Sequence, residues 1–290
     1  MLTVFLGLAG ALAYGAADFF GGVAARKISA IVVTAGVALV GLVVIFAGSL
    51  LVDGVWSAES LLWGGLSGIT GAAAIGLLYA CLARGPMSIL SPTTAFLSAL
   101  LPVSWGLGTG GVASAWLYPA LGLALIAVIL VGIVPDQRAI RPTLTSLAMA
   151  VASGLLIGVF YVFIDQTPAD SGLTPLVANR LSQSVILIAV IVGLVLWRRR
   201  EPARPSLFGD RGDLRGVVPI MVGAGLLDAL ANVAVITGLR VGDLAVVSVL
   251  TALYPAGTIL LAAAVLRERV TKIQLTGLGL ALVASAMLAS

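Results

Sequence analysis

The sequence predicts an all-α integral membrane protein with ten transmembrane helices, built as two inverted five-helix repeats. Three observations predict this. Hydrophobic residues make up 60% of the 290 positions and charged residues only 10%, against roughly 25% charged in soluble domains. The apolar residues gather into ten runs of about the 20 residues that a helix needs to cross hydrocarbon. The basic residues fall in alternate loops between those runs, the pattern expected of a polytopic membrane protein. No soluble core covers so much apolar surface, so lipid is the solvent for much of it.

In chain order the predicted spans are 2–22, 30–52, 60–82, 88–108, 114–134, 144–164, 173–197, 216–238, 243–265 and 272–289. The first begins Met1-Leu2-Thr3-Val4 without a basic segment ahead of it, so it reads as a retained helix rather than a cleaved signal peptide. The runs are long and rich in Ala, Gly, Leu and Val, unlike the alternating strands of about 10 residues in a membrane β-barrel. Thirty-five glycines would weaken helices in water, but in a membrane bundle small residues let helices approach closely. The longest polar stretch, Arg198 to Arg215, is expected to be the most mobile loop.

The chain repeats itself. Shifted by 157 positions, Leu121-Gly122-Leu123-Ala124-Leu125 falls on Leu278-Gly279-Leu280-Ala281-Leu282, Leu82 meets Leu239, Gly85 meets Gly242, and Thr94-Ala95 meets Thr251-Ala252. One gapless register therefore relates spans three to five to spans eight to ten. Span one matches span six at a shift of 139, with Leu8-Ala9 on Leu147-Ala148 and Gly15 on Gly154. The predicted units are 1–135 and 136–290. Repeats of this size point to a duplicated architecture.

Loop charge gives the orientation. Fourteen of the 16 Lys and Arg residues lie in the odd-numbered loops, the even loops hold only Arg240, and Arg180 lies inside span seven. The rule places the odd loops in the cytoplasm and both termini outside, in an inner (plasma) membrane. An odd number of helices per repeat inverts the second unit. The charges agree: loop two carries Asp53 and Glu59, whereas its counterpart, loop seven, carries six arginines. Loop four holds the uncharged Gly110-Gly111, whereas loop nine reads Arg267-Glu268-Arg269. Inverted repeats recur in secondary transporters, where one half closes as the other opens around a central site.

Other compositional features narrow the chemistry. The single Cys81 leaves no disulfide within the chain. The absence of His removes the usual neutral-pH proton shuttle and the commonest metal ligand. There is no phosphate-binding loop ending in Gly-Lys-Ser/Thr and no Gly-x-Ser-x-Gly nucleophile motif. No cofactor, metal or catalytic residue is expected. The basic residues are confined to particular loops, which argues against nucleic acid as a partner. The expected partners are a small-molecule substrate and the bilayer, and a single copy of the chain suffices.

The carboxy-terminal stretch reads Ala262-Ala-Ala-Val-Leu-Arg-Glu268-Arg-Val-Thr271-Lys-Ile-Gln274-Leu-Thr-Gly277, followed by an apolar helix. It resembles the Glu-Arg-x-Thr-x-x-Gln-x-x-Gly signature that closes each repeat of the EamA-type carriers of the drug/metabolite transporter superfamily. Residues 242–255, Gly-Asp-Leu-Ala-Val-Val-Ser-Val-Leu-Thr-Ala-Leu-Tyr-Pro, look like that family's entry into helix nine. The first half departs from the signature at Gly110-Gly111. The resemblance implies a ten-helix carrier, and its bacterial branches imply aromatic and neutral amino acids or related metabolites as exported substrates.

Ionisable groups inside a bilayer cost several kcal/mol and are functional candidates by default. Asp228 lies midway along span eight, with Asn232 one turn on. The pair either binds a substrate amine or coupling cation, or clamps helices together, for instance through Arg180. Asp18 lies toward the inner end of span one, with Tyr14 one turn before it, and either takes part in a site or pairs toward Arg26. Arg180, with Gln183 one turn on, either holds a carboxylate bidentately or snorkels to the outer surface. Spans four and nine carry Pro92, Pro102 and Pro255 at mid-depth, and interrupted segments in corresponding places point to a central site. Ser91, Thr94, Ser248, Thr251 and Tyr254 flank these positions. Tyr14, Tyr79, Tyr161, Trp105 and Tyr254 are candidates for an apolar pocket wall. Trp56, Trp116 and Trp197 sit at helix ends and read as interface anchors.

The leading functional expectation is a secondary exporter or facilitator of amino acids or similar metabolites. The alternatives are a proton-coupled organic-cation or drug exporter working through Asp18 or Asp228, and an intramembrane lipid-modifying enzyme.

Overall fold

The computed structural model describes residues 1–85, 87–109, 117–132, 142–198, 206–265 and 271–289. Among these the regular structure is helical throughout: α1 (Leu2–Ala25), α2 (Ala30–Ser49), α3 (Ala58–Arg84), α4 (Met87–Gly108), α5 (Leu117–Gly132), α6 (Leu144–Asp165), α7 (Thr174–Arg198), α8 (Arg211–Val241), α9 (Leu244–Thr251), α10 (Pro255–Val265) and α11 (Lys272–Ala289), with a short 3₁₀ turn at Ala169–Ser171. Eight described segments are long and apolar enough to cross a membrane, one of them running through α9 into α10. The chain is a multi-pass membrane protein. α5 and α11 stand at the fifth and tenth expected spans and are 16 and 18 residues long. The expectations that concern Gly110-Gly111, Trp116, Arg138, Arg141, Arg199, Arg200, Arg204 and Arg267-Glu268-Arg269 lie outside the described residues.

Local sequence explains several helix starts. Ser57 caps α3, its hydroxyl accepting from the Ser60 amide at 3.0 Å, and Thr143 caps α6 by accepting from the Ser146 amide at 3.1 Å. The eighth span was expected to begin at 216, but α8 begins at Arg211, where the Asp213 carboxylate accepts from the Asp210 amide at 3.4 Å. Part of the polar stretch expected to be the most mobile loop is therefore built into the fold. Leu207 is buried in the core, and its carbonyl accepts from the Ser29 amide at 3.0 Å.

Proline behaves differently in the two places that were expected to match. α4 runs through Pro92 and Pro102 without a break. Pro102 packs over Gly158 of α6, its Cδ only 3.3 Å from where a Gly158 Cβ would stand, so the neighbouring helix accommodates the ring. The ninth span is divided. Proline disfavours helical backbone in the residue before it, and the chain tightens ahead of Pro255: the Leu253 amide bonds the Leu250 carbonyl and the Tyr254 amide bonds that of Thr251. α9 ends at Thr251 and α10 starts at Pro255.

α1 packs against α8, α9, α10 and α3, α6 against α3 and α4, α2 against α7 and α8, α7 against α3, α4 against α9, and α5 against α11. Small residues permit this closeness. The helix of Gly15 runs against the Tyr254 carbonyl and Gly257, that of Gly64 against the Pro175 carbonyl, and that of Gly68 against the Asn179 carbonyl; a Cβ at any of these glycines would overlap its neighbour. Polar side chains tie the same seams together. Asn179 donates to Ser67 Oγ at 2.8 Å, Ser182 to the Gly65 carbonyl at 2.9 Å, Ser153 to the Ala74 carbonyl at 2.8 Å, and Thr94 to the Ala150 carbonyl at 3.2 Å.

At the end of the bundle away from Arg26, the segment 52–57 lies on the 168–172 turn through a Val55 amide to Asp170 carbonyl bond of 3.0 Å. Gly172, at a φ of 53°, meets the backbone of Asp53 and Gly54 too closely for any side chain. Arg240 locks this end, donating to the Thr167 carbonyl at 2.7 Å, Thr167 Oγ1 at 2.6 Å and Ser171 Oγ at 3.1 Å.

Adjacent glycines test the close-packing account. A Cβ at Gly64 collides with α7, whereas Gly65 has nothing within 4 Å. Gly64→Ala is expected to lose about 1–3 kcal/mol through overpacking, read as a lowered thermal-unfolding midpoint in detergent, and Gly65→Ala is expected to match the parent.

Candidate functional site

A cavity of about 40 Å³ lies at the centre of the bundle, room for a few waters or the polar end of a small solute. Its walls come from six elements. α1 supplies Tyr14 and Asp18, α3 supplies Gly71, Ala74, Ile75 and Leu78, and α6 supplies Ile157, Phe160 and Tyr161. α7 supplies Asn179, Arg180 and Gln183, α8 supplies Asp228 and Asn232, and Tyr254 enters from the break between α9 and α10.

The charged core of this site is an ion pair. Arg180 Nη2 lies 2.5 Å from Asp228 Oδ2, and both residues are almost wholly buried, at 4% and 3% exposure. Gln183 accepts a 2.6 Å hydrogen bond from Arg180 Nη1. Gly41 of α2 leaves the space the guanidinium needs, since a Cβ there would stand 3.3 Å from Nε. Asn232 donates at 2.7 Å to the Asp228 carbonyl, one turn back along α8. Taking two charges out of water is repaid only with close geometry and further hydrogen bonds, and Gln183 supplies one of them.

Asp18 is the exception. It is 4% exposed, lines the cavity, and has no hydrogen-bond or salt-bridge partner among the described residues. Its alternative role, pairing toward Arg26, is not what the structure shows. The cavity therefore carries one cation and two carboxylic acids. Phe160 and Tyr161 stack edge to face at 5.3 Å and form its apolar side.

Eight of the sequence candidates thus meet in one place: Tyr14, Asp18, Tyr161, Arg180, Gln183, Asp228, Asn232 and Tyr254. Arg180 does not snorkel; a carboxylate one helix away holds it inside. The Tyr254 hydroxyl donates to the Ser91 carbonyl at 3.4 Å, tying the helix break to α4. The other candidates stand elsewhere. Tyr79 is buried with its ring against Gly21 of α1 and does not line the cavity. Thr94 and Thr251 are also off the cavity, and their hydroxyls bond the Leu90 and Val247 carbonyls one turn back. Ser91 contributes its carbonyl rather than its buried hydroxyl. Trp105 is 45% exposed on the outside of α4 and forms no part of the cavity wall.

Sequence reasoning missed Asn179 and Phe160, although an amide side chain beside Arg180 in an otherwise apolar helix is itself a signal. The small wall residues Gly71 and Ala74 carry no such signal.

Residues 144–290 match the profile of the EamA-like transporter family. A crystal structure of a protein 16% identical in sequence covers 99% of this chain and 96% of its own, with a TM-score of 0.68; at that identity it shows a shared fold alone. No curated protein matches the sequence.

The ion pair makes a sharp stability prediction. Removing one partner leaves the other charged and buried, at about 3–5 kcal/mol. Arg180→Leu and Asp228→Leu are each expected to lower the unfolding midpoint markedly. The double variant is expected to recover most of the loss, giving a large coupling in a double-mutant cycle. Equal and additive losses would show that the two charges do not depend on each other.

Proposed function

The chain belongs to the EamA-like transporter family, and from that premise we propose that it is a secondary carrier exporting amino acids or related metabolites by alternating access around the central cavity. The family consists of transporters of small molecules rather than enzymes, and the many apolar helices make this a multi-pass membrane protein. The reading places it in the inner (plasma) membrane, spanning ten times, with both termini outside and with residues 1–135 and 136–290 as inverted repeats.

Helix partnerships support the inverted repeat. Exchanging each helix with its counterpart turns the α1–α8 contact into α6–α3, α2–α8 into α7–α3, and α4–α6 into the contact of α9 and α10 with α1; α2–α7 and α5–α11 map onto themselves. The cavity supports it too. Asp18 and its counterpart Ile157 both line the wall, as do Asp228 and Gly71, and Asn232 and Ile75. Corresponding positions thus line one cavity, and the polar member of each pair belongs to one unit only.

The observation that carries the substrate class is the charge of the wall: one guanidinium, one carboxylate paired with it and one carboxyl without a partner. A zwitterion fits this set. Its carboxylate would compete with Asp228 for Arg180, which can bind a carboxylate through two parallel hydrogen bonds. Its ammonium would face Asp18. The apolar side made by Phe160, Tyr161 and Ile157 accepts an uncharged or aromatic side chain.

The unpartnered Asp18 also favours a second reading, a proton-coupled exporter of organic cations, in which the cargo amine and the proton alternate on that carboxyl. Flux into liposomes holding only this protein separates the two. Saturable flux of a neutral or aromatic amino acid, blocked by Arg180→Gln, is the expected result. Flux of organic cations with none for any amino acid would replace the first reading with the second, and turnover of lipid with no solute flux would sink both. Asp18→Asn removes a charge but no contact, so it is expected to fold normally, keep exchange and lose uphill transport. Normal uphill transport by that variant would remove Asp18 from coupling.

A further inference from the structure

A second cavity lies outside the central site, on the opposite face of α3. α3 and α7 cross in tight contact at Gly64 and Gly68 and then diverge. The space that opens between them, closed at the back by the start of α2, is a groove of about 870 Å³. It follows α3 from Ile69 to Arg84 and α7 from Ile186 to Leu194. Fifteen residues of helix span about 22 Å, more than half the roughly 30 Å hydrocarbon thickness. Its walls are alkyl and small: Ile69, Ala73, Gly76, Leu77, Leu187 and Val190 among them. At Gly76 and Ala73 nothing fills it, since Gly76 has no atom within 4 Å of its Cβ position and Ala73 is exposed.

The mouth of the groove is cationic. Arg26 and Arg84 line it, and neither has a carboxylate partner among the described residues. Among the described residues Arg84 hydrogen-bonds the Ala80 carbonyl at 3.5 Å and Met149 Sδ at 3.6 Å. Between the arginines α2 begins at Ser29 and Ala30, also part of the lining, and the Ser29 hydroxyl makes no capping bond to the helix amides. A 20-residue helix thus presents its positive end to the same groove as two guanidinium groups.

We propose that this groove is a binding site for an anionic phospholipid: one acyl chain lies along α3 between α2 and α7, and the phosphate is held by Arg26, Arg84 and the amino end of α2. The combination selects the ligand. An alkyl groove alone accepts any lipid tail, and a basic mouth alone accepts any anion. Together they match a molecule with a phosphodiester at one end and an acyl chain at the other, and basic pockets between membrane helices take such headgroups. The site shares no lining residue with the central cavity, although α1, α3 and α7 contribute to both, and it does not depend on what the carrier moves.

The test is native mass spectrometry of the full-length protein in mild detergent, offered equal amounts of dioleoyl-phosphatidylglycerol and dioleoyl-phosphatidylcholine. One phosphatidylglycerol is expected to stay bound in preference to phosphatidylcholine. Arg26→Gln with Arg84→Gln is expected to weaken that retention roughly tenfold or more, from the contribution of each basic residue. Gly76→Leu, a substitution into open space, keeps both arginines and fills the groove, and it is expected to reduce retention of either lipid while leaving the unfolding midpoint unchanged. Arg215→Gln, elsewhere on the surface, is expected to change nothing. Three results would each overturn the proposal: equal retention of the two lipids, equal loss in Arg215→Gln, and displacement of the lipid by millimolar inorganic phosphate with Gly76→Leu indifferent, which would mark a free-anion site.

Discussion

The rest of the bundle is arranged around one contact, the buried ion pair of Arg180 and Asp228. An isolated charge this deep in an apolar bundle would cost several kcal/mol, so α7 and α8 must stay in register to within a side chain. Gln183 satisfies one guanidinium nitrogen, and Gly41 on α2 makes room for the group. α2 lies against both α7 and α8, which lets one glycine on a third helix serve the pair. The close seams of α3 with α7 and of α1 with α8 and α10, built on glycine and small polar residues, hold those helices where the charges need them.

Much of this was legible in the sequence, because lipid imposes a simple length and hydropathy rule on a helix. Eight of the spans follow from that rule among the described residues, and the shift of 157 residues pairs positions that line the cavity. The clamp between Arg180 and Asp228 was one of two readings left open, since sequence alone cannot say whether an arginine six residues inside a helix reaches outward to the surface or inward to an acid. Other features depended on neighbours. Pro102 and Pro255 look alike in sequence, but Gly158 absorbs the first within a continuous helix, while the second divides its span. Tyr79, Trp105, Thr94 and Thr251 were plausible wall residues by type. Helix rotation sets which face meets the cavity, and an all-apolar helix carries too little polarity contrast to reveal its rotation.

The geometry also redistributes importance among the acids. Asp228 stood out first from its depth in span eight, yet its carboxylate already has a cation. Asp18 has none, and it shares the wall with that pair. A site with one cation and two carboxylic acids is incomplete without a further positive charge, from a substrate amine or from a proton. A substrate carboxylate can enter only by competing with Asp228 for Arg180. Such competition links binding to the α7–α8 contact within the second unit, against both of whose helices α2 of the first unit packs, as a carrier whose cargo moves its own gate requires.

The most direct measurement is calorimetric binding to the purified protein of a neutral aromatic amino acid and of the amine that lacks only its carboxylate. The account predicts that the amino acid binds, that the amine binds at least tenfold more weakly, and that Arg180→Gln abolishes the difference. Equal binding of the two ligands to the parent protein, unchanged in Arg180→Gln, would contradict it and remove the ion pair from substrate recognition.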